Sequence, residues 1–433
     1  MRAWLSRLSS LPVYLRSFIS HVRRNGFAAA VVKAYQYVIW GFGHGYGGSF
    51  RSWFVRTGTD AEAAPAAEVF ANASILIVGP LDLPQCRKYR VVQKLELLYG
   101  QGIDCHMSHI DDQVRVYNLM QTATHLLFYR VLASPVVDHY IAEAQRLGLV
   151  LAHDIDDPIF DADTYRANRN LETLTEAERE HLLDSSELHL KLMRQCQHQL
   201  VSTRGMAERV QALLGVEAFV WPNVVDAETQ QIAARLEGRP RAATEETVVA
   251  YMSGSRAHDR DFESIAPVLA DMLEQHPTVV LMLVGYVEVP AQLAPYNDRL
   301  RRIPFGNYHE YFNALARAEL VVVPLLIDAF NDCKSAIRFY EAALLGIPVV
   351  ASRVGQFSEV IEPGVTGYLA SDSDEWSAAL STLLSDAALR HRMGEAAQSA
   401  VNTRHTLQAI VPQVLPSLAA MGVNSGSAAG GEA

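Results

Sequence analysis

The stretch FNDCKSAIRFYEAALLGIPVVAS, Phe330 to Ser352, decides how the rest of the chain is read. It follows Leu320 to Pro324 (LVVVP), an apolar and β-branched run that predicts a strand feeding a loop. From Lys334 the pattern turns helical for about three turns, with Ala336, Phe339, Tyr340, Ala343 and Leu344 recurring on one side. Gly346 stands where such a helix stops, Pro348 prevents its continuation, and Val349 to Ser352 reads as a buried strand. Lys334, Arg338 and Glu341 are spaced i, i+4, i+7 and line a separate polar face. Free N–H groups and a positive dipole end suit a phosphate at the start of this helix. A carboxylate farther along can accept hydrogen bonds from the two hydroxyls of a ribose. The pattern therefore predicts a nucleotide held by its diphosphate and its ribose, against the plainer alternative of a surface Arg338–Glu341 salt bridge.

The same run resembles the donor-site signature of glycosyltransferase family 4, the group 1 transferases with the GT-B fold. Their E-x7-E pair is succeeded by A-x-x-x-G-x-P-V-V-A-S. Here Glu341 matches the second glutamate, and Ala342, Gly346, Pro348, Val349, Val350 and Ala351 match the residues after it. The first glutamate position is Cys333. The K-S-x-x-[KR]-x-x-E form, Lys334 to Glu341, is similar to a branch found in surface-polysaccharide biosynthesis. The resemblance implies an α/β protein: two Rossmann-like doubly wound domains facing a cleft. It also implies a nucleotide-diphosphate sugar as donor and transfer with retention of configuration.

Composition sets the outer bounds. The chain has 433 residues, enough for two to three domains, and 49% hydrophobic with 20% charged residues is ordinary for a globular protein. Cys86, Cys105, Cys196 and Cys333 are scattered without C-x-x-C spacing, which points to a reducing compartment and away from a zinc site. Residues 1–59 lack Asp and Glu but carry eight Arg and Lys, leaving −19 on the remainder of a chain whose net charge is −11. Such an arm suits an anionic bilayer surface, or packs its apolar faces on the body or on a second subunit. Leu15, Phe18, Ile19 and Val22 give it a helical period, with Trp4, Trp40 and Trp53 as interfacial anchors. The glycine-rich run Gly41 to Gly48 follows no strand and reads as a hinge. No apolar run reaches the length of a transmembrane helix, and no signal peptide is read. The expected location is cytoplasmic, peripheral on the inner face of the plasma membrane, with no role for nucleic acid.

Taken in order, the chain predicts a basic aromatic helical arm (1–60), a linker (61–72) and a Rossmann-like acceptor domain (73–224). A donor domain (225–405), a last helix (406–420) packing back on the first domain, and a disordered tail (421–433) complete it. Strands at Ser74, His125 to Tyr129 and Leu149 to His153 alternate with helices, which predicts a parallel sheet. Arg87, Lys88 and Arg90 come after the first strand at its carboxyl end, where clefts of such sheets lie. For HDIDDPIFD, His153 to Asp161, two readings compete. Asp154, Asp156 and Asp157 form a metal-binding D-x-D, or they line the acceptor side and position or deprotonate a hydroxyl. The resemblance, which extends through Tyr129, Arg130 and Val131, favours the second.

By the same resemblance Trp221 to Glu228 is the crossing between domains, with Val224 in place of the usual glycine. The loop after the strand Val248 to Met252 approaches the diphosphate, with Gly254 and Ser255 allowing close contact, Arg260 supplying a cation, and His258 and Asp261 matching the branch. Phe305 or Tyr308 stacks on the base, and the Gly355 loop approaches the Glu341 helix, with Gln356 where a second glycine is usual. Lys334, Arg260, Arg338 and N–H groups near Ser335 stabilise the leaving diphosphate. Glu341 orients the ribose. No metal and no cofactor beyond the sugar nucleotide are expected, and the acceptor is a glycan or a lipid-linked glycan. Three other functions fit parts of the pattern: a scaffold of this fold that has lost catalysis, a sugar-nucleotide epimerase, and a metal-dependent transferase using Asp154 and Asp156.

Overall fold

The structure, a computed structural model, describes residues 73–236, 246–254 and 258–423. The arm (1–60), the linker (61–72), Ser255 and the chain beyond Val423 lie outside the described residues. Two six-stranded sheets carry the fold. In the first, β1 (Ser74–Gly79), β2 (Asp104–His109), β3 (His125–Tyr129), β4 (Val150–Ile155), β5 (His198–Val201) and β6 (Ala218–Val220) run in the order β2-β1-β3-β4-β5-β6. In the second, β7 (Thr247–Ser253), β8 (Val279–Gly285), β9 (Leu300–Ile303), β10 (Leu320–Val323), β11 (Val349–Ser352) and β12 (Tyr368–Ala370) run β12-β11-β10-β7-β8-β9. Every strand pair is parallel. Both sheets are doubly wound, so strand order reverses once in each: between β1 and β3, and between β7 and β10, where Leu320 pairs with Val249. Crevices open outside the carboxyl ends of strands at such reversals.

Inner strands such as β1 and β8 are buried on both faces, which is why SILIVG and VVLMLVG carry almost no polar residues. The chain crosses between sheets twice, side by side: Val225 N–H donates to His405 O at 2.9 Å and Leu407 N–H donates to Val225 O at 3.0 Å. The last helix, Leu407–Ala420, then packs on the first sheet, where Ile410, Val414 and Leu418 join Ile75, Ile77 and Trp221.

Three local readings change. The tail does not begin at 421: Gly422, at φ 80°, ends the last helix in the left-handed region. Val423 N–H then returns to Leu418 O at 2.8 Å, and the Val423 side chain is buried on the first core. The helix expected from Lys334 is Ile337–Leu344, so Lys334 sits in extended backbone ahead of it. Gln356 Oε1 accepts the Ala336 N–H at 2.9 Å and fixes where that helix starts. The helix after β1 contains a π-helical turn, Lys88–Val92, between Pro84–Arg87 and Gln93–Gly100.

Candidate functional site between the two sheets

The carboxyl ends of both sheets face one cleft of about 1330 Å³. Its second-domain wall is built by the loops after β7, β8, β9 and β10, and its first-domain wall by the residues after β1, β3 and β4.

Glu341 lies at the back of the second-domain wall with 2% of its surface exposed, so it is no surface salt bridge. Its Oε2 accepts from Tyr311 Oη at 2.7 Å and Arg338 Nη1 at 2.8 Å; its Oε1 accepts from Tyr89 Oη at 2.5 Å and, more distantly, from Tyr308 Oη at 3.4 Å. Burial, then the Glu341 charge, push the Tyr89 and Tyr308 phenols above their ordinary pKa, so both stay protonated. Tyr89 comes from the π-helical turn of the first domain and Tyr311 from the helix Tyr308–Leu315 of the second. Sequence reasoning names neither. Tyr311 stands at i+3 from Tyr308 and is within reach of periodicity; a π-helical turn leaves no such signature.

Lys334 points across the cleft. Its Nζ lies 2.8 Å from Asp157 Oδ1 and 4.8 Å from the centre of the Phe330 ring. Arg130 Nη1 spans Asp156 at 2.8 Å and Asp157 at 3.1 Å. Burial alone would raise the Asp157 carboxyl, but Lys334 and Arg130 outweigh it and hold the group below the usual carboxylate range. Arg130 has φ 48°, the left-handed region that a side chain adopts at a cost of about 1–3 kcal/mol. Strain of this kind gathers at sites of function, and here it turns the guanidinium onto the two carboxylates.

Asp154 does not face an acceptor. It is fully buried and bidentate to Arg90, at 2.9 and 2.7 Å, with Lys94 Nζ at 2.8 Å. Arg90 also reaches Asn223 Oδ1 at 2.9 Å, and Asn223 Nδ2 donates to Ser335 Oγ at 3.1 Å. The pair thus braces the domain crossing against the Ser335 loop from beneath. Of the other cations expected on this side, Lys88 lines the cleft but pairs with Asp226 at 2.8 Å and Glu228 at 2.6 Å. Arg87 is exposed and is not among the cleft residues.

Arg260 is likewise displaced. In the short helix Asp259–Ser264 it pairs outward with Glu263, three residues on, at 2.6 Å. His258 and Asp261, also three apart, face inward, with His258 Nδ1 2.9 Å from Asp261 Oδ2. Buried Asp261 also accepts from Leu326 N–H at 2.8 Å and Asn170 Nδ2 at 3.0 Å. Asn170 belongs to the first domain, and its Oδ1 accepts the Arg260 and Asp261 N–H groups at 3.1 and 3.3 Å. It caps the second domain's helix from the opposite side of the cleft.

Gly254 and His258 line the cleft, and a Cβ on Gly254 would come 2.8 Å from the Gln85 amide opposite. Gly355, at φ 54°, packs so that a Cβ would lie 2.7 Å from Asn331 O and 2.9 Å from Lys334 O, supporting the Lys334 loop from behind. Phe305 is an exposed rim residue stacked on Tyr286 at 5.1 Å, whereas the Tyr308 ring lies under Lys88 Nζ at 4.5 Å. Cys333 turns away from the cleft into an apolar cluster with Ile155, Phe160, Met206 and Val210 of the first domain, and burial pushes its thiol up to about 12.

Residues 237–400 match the family model described as glycosyl transferases group 1. The second domain resembles the group 1 glycosyl transferases over those residues. The chain is 30% identical over 145 residues to a D-inositol 3-phosphate glycosyltransferase of Corynebacterium diphtheriae, covering 31% of this chain and 34% of that one. It is 31% identical over 121 residues to the amylovoran biosynthesis glycosyltransferase AmsK of Erwinia amylovora, covering 26% and 28%. The chain therefore spans about a third of the length of these relatives. The structure of Anabaena HepE in complex with UDP and glucose superposes over 81% of this chain and all of that one, with a TM-score of 0.56 at 16% identity. The two share the GT-B fold.

Among the described residues no cluster of His, Cys, Asp and Glu is arranged to hold a metal ion, and no helix is long and apolar enough to cross a membrane.

Proposed function

We propose that the protein transfers a glycosyl unit from a nucleotide-diphosphate sugar to an acceptor hydroxyl held by the first domain, with retention of configuration. The observation that carries this reading is the convergence of Lys334, Arg338 and Glu341 on one cleft wall, in a segment that matches the group 1 model. Glu341 takes the ribose hydroxyls. Lys334 and Arg338 take the diphosphate and stabilise the charge that develops as the bond to the sugar breaks. Asp156 and Asp157, opposite them, position the acceptor hydroxyl and receive its proton. Since Asp154, Asp156 and Asp157 are each already neutralised by Arg or Lys, these residues do not suit a divalent cation, and the reading is metal-independent. The acceptor is a glycan or lipid-linked glycan of a cell-surface polysaccharide, and the basic arm meets the cytoplasmic face of an anionic membrane.

Cys333 favours one other reading. Turned into the apolar cluster, it offers the sugar no hydrogen bond where the family has a glutamate. A domain that binds the donor and transfers nothing would result from that loss.

Thermal unfolding with UDP-, GDP-, dTDP- and CMP-sugars, wild type beside Glu341→Ala, tests both. A donor at about 100 times its Kd adds roughly 2.7 kcal/mol, lost in the variant. Stabilisation by one nucleotide class, with transfer to a membrane-extracted acceptor, is the expected result. Stabilisation without transfer selects the binding-only reading, and no stabilisation by any donor removes the glycosyltransferase reading.

A further inference from the structure

A carboxylate has room for about four hydrogen bonds, and Glu341 already has three close donors, Tyr89, Tyr311 and Arg338. A fourth, Tyr308, is 3.4 Å away, and its single proton is shared with Tyr89 Oη at 3.2 Å and Thr229 Oγ1 at 3.1 Å. Two ribose hydroxyls cannot both be added unless one close donor leaves. Arg338 and Tyr311 belong to Glu341's own domain, and the Arg338 guanidinium lies over the Tyr311 ring at 5.0 Å, so these two stay. Tyr308 makes the longest contact and already has Thr229 Oγ1 at 3.1 Å as another partner. Tyr89 makes the shortest contact and comes from the opposite wall. The same substitution of parts recurs at the other end of the site. Lys334, the cation assigned to the diphosphate, holds the Asp157 carboxylate, again from the opposite wall.

We propose that the first domain carries a stand-in for the sugar nucleotide: the Tyr89 hydroxyl occupies the ribose's place on Glu341, and Asp157 occupies the diphosphate's place on Lys334. Tyr89 is therefore a determinant of donor affinity that acts by competition. It sets the threshold at which the donor domain accepts a nucleotide, while Asp157 keeps the Lys334 charge paired until one arrives. The inference rests on the nucleotide-sugar reading above, and on Glu341 receiving the ribose.

A competitor and a supporting residue have opposite consequences when removed. Calorimetric titration of wild type, Tyr89→Phe and Tyr311→Phe with the nucleoside diphosphate selected by the donor panel separates them. Tyr89→Phe should bind about fivefold more tightly or better, since a hydrogen bond to a charged group no longer has to be broken. Tyr311→Phe, which loses a donor that stays in place, should bind more weakly. The Tyr89→Phe gain should shrink to less than about twofold for the 2′-deoxynucleoside diphosphate, which makes less use of the freed oxygen. Tyr89→Phe binding equal to or weaker than wild type overturns the proposal, as does a gain of the same size for the deoxynucleotide. If no variant and no wild type binds any nucleoside diphosphate while melting cooperatively, the nucleotide-sugar reading itself fails. A wild type that binds normally with a Tyr89→Phe that gains nothing removes the stand-in alone.

Discussion

Asn170 is the residue whose replacement separates two roles most sharply. Its Oδ1 accepts the second and third N–H groups of the helix Asp259–Ser264, the two that an N-cap serves, while its Nδ2 donates to the buried Asp261 carboxylate that holds His258. Removing an N-cap acceptor costs about 1 kcal/mol, and losing a hydrogen bond to a charged group costs about 1.5–3 kcal/mol. Asn170→Ala forfeits both, so about 2–4 kcal/mol of contact between the walls disappears. Asn170→Asp retains an N-cap oxygen but sets a second carboxylate against Asp261. Hydrogen exchange of the segment 258–264 is the assay, read beside donor turnover. In Asn170→Ala protection of the Arg260 and Asp261 amides should fall at least about fivefold, the factor corresponding to the cap alone. In Asn170→Asp protection should persist while donor turnover falls, because the added carboxylate competes with Asp261 for His258, which lines the cleft. Unchanged exchange in Asn170→Ala would refute the capping argument. Wild-type turnover in Asn170→Asp would refute the link to His258.

Two further outcomes concern buried groups of the first domain. His153 is fully buried, and burial pushes its pKa down to about 4. Its unfolded form takes up a proton first, so stability is complete above the ordinary histidine value near 6.5 and is lost as pH falls from there toward 4. That amounts to about 2 kcal/mol between about pH 6.5 and 5; denaturant titrations should show it, and His153→Leu should flatten the slope, whereas equal slopes would contradict the assignment. Asp154→Asn leaves Arg90 and Lys94 buried without their carboxylate, a loss of about 3–5 kcal/mol, and should lower Tm by several degrees; an unchanged Tm with lost transfer would return Asp154 to the chemistry.

What the chain discloses, and what it hides, divides along a physical line. Strand runs such as ILIVG and LVVVP are apolar because both sheet faces are buried, and the helix stop at Gly346 arises from local backbone geometry; both are properties of consecutive residues. Lys334 stands in extended backbone ahead of the helix Ile337–Leu344, whereas Arg338 and Glu341, which share that helix, are legible for the same reason. Residues that depend on the opposite wall are not. The resemblance places Arg260 at the cleft, yet in the structure Arg260 pairs outward with Glu263 while His258 faces Asp261. Asp154, Asp156 and Asp157 look alike in sequence, and only the positions of Arg90, Lys94, Arg130 and Lys334 decide which one is braced beneath the sheet and which two face the cleft. Tyr89 and Asn170 work only across the cleft, and no local pattern announces a side chain whose partner is 252 or 91 residues away.

The charge balance of the cleft explains why its cations are paired at all. Glu341 and Lys334 are largely buried, and a buried charge without a partner costs several kcal/mol. A site built to receive an anion therefore faces a difficulty whenever the anion is absent: its cations, withdrawn from water, need other counter-ions. Here the opposite wall supplies one, Asp157 for Lys334, with Arg130 holding Asp157 and Asp156 beside it. On the proposed function, donor binding is an exchange of partners, and its free energy is the difference between two well-satisfied arrangements, smaller than the contact list alone would give. The exchange has a second consequence. When a diphosphate draws Lys334 away, Asp157 keeps only Arg130, which it shares with Asp156, and the two carboxylates face the cleft with one cation between them. On the proposed function, their capacity to accept a proton would rise with the leaving group in place, tying the acceptor's activation to the donor's arrival.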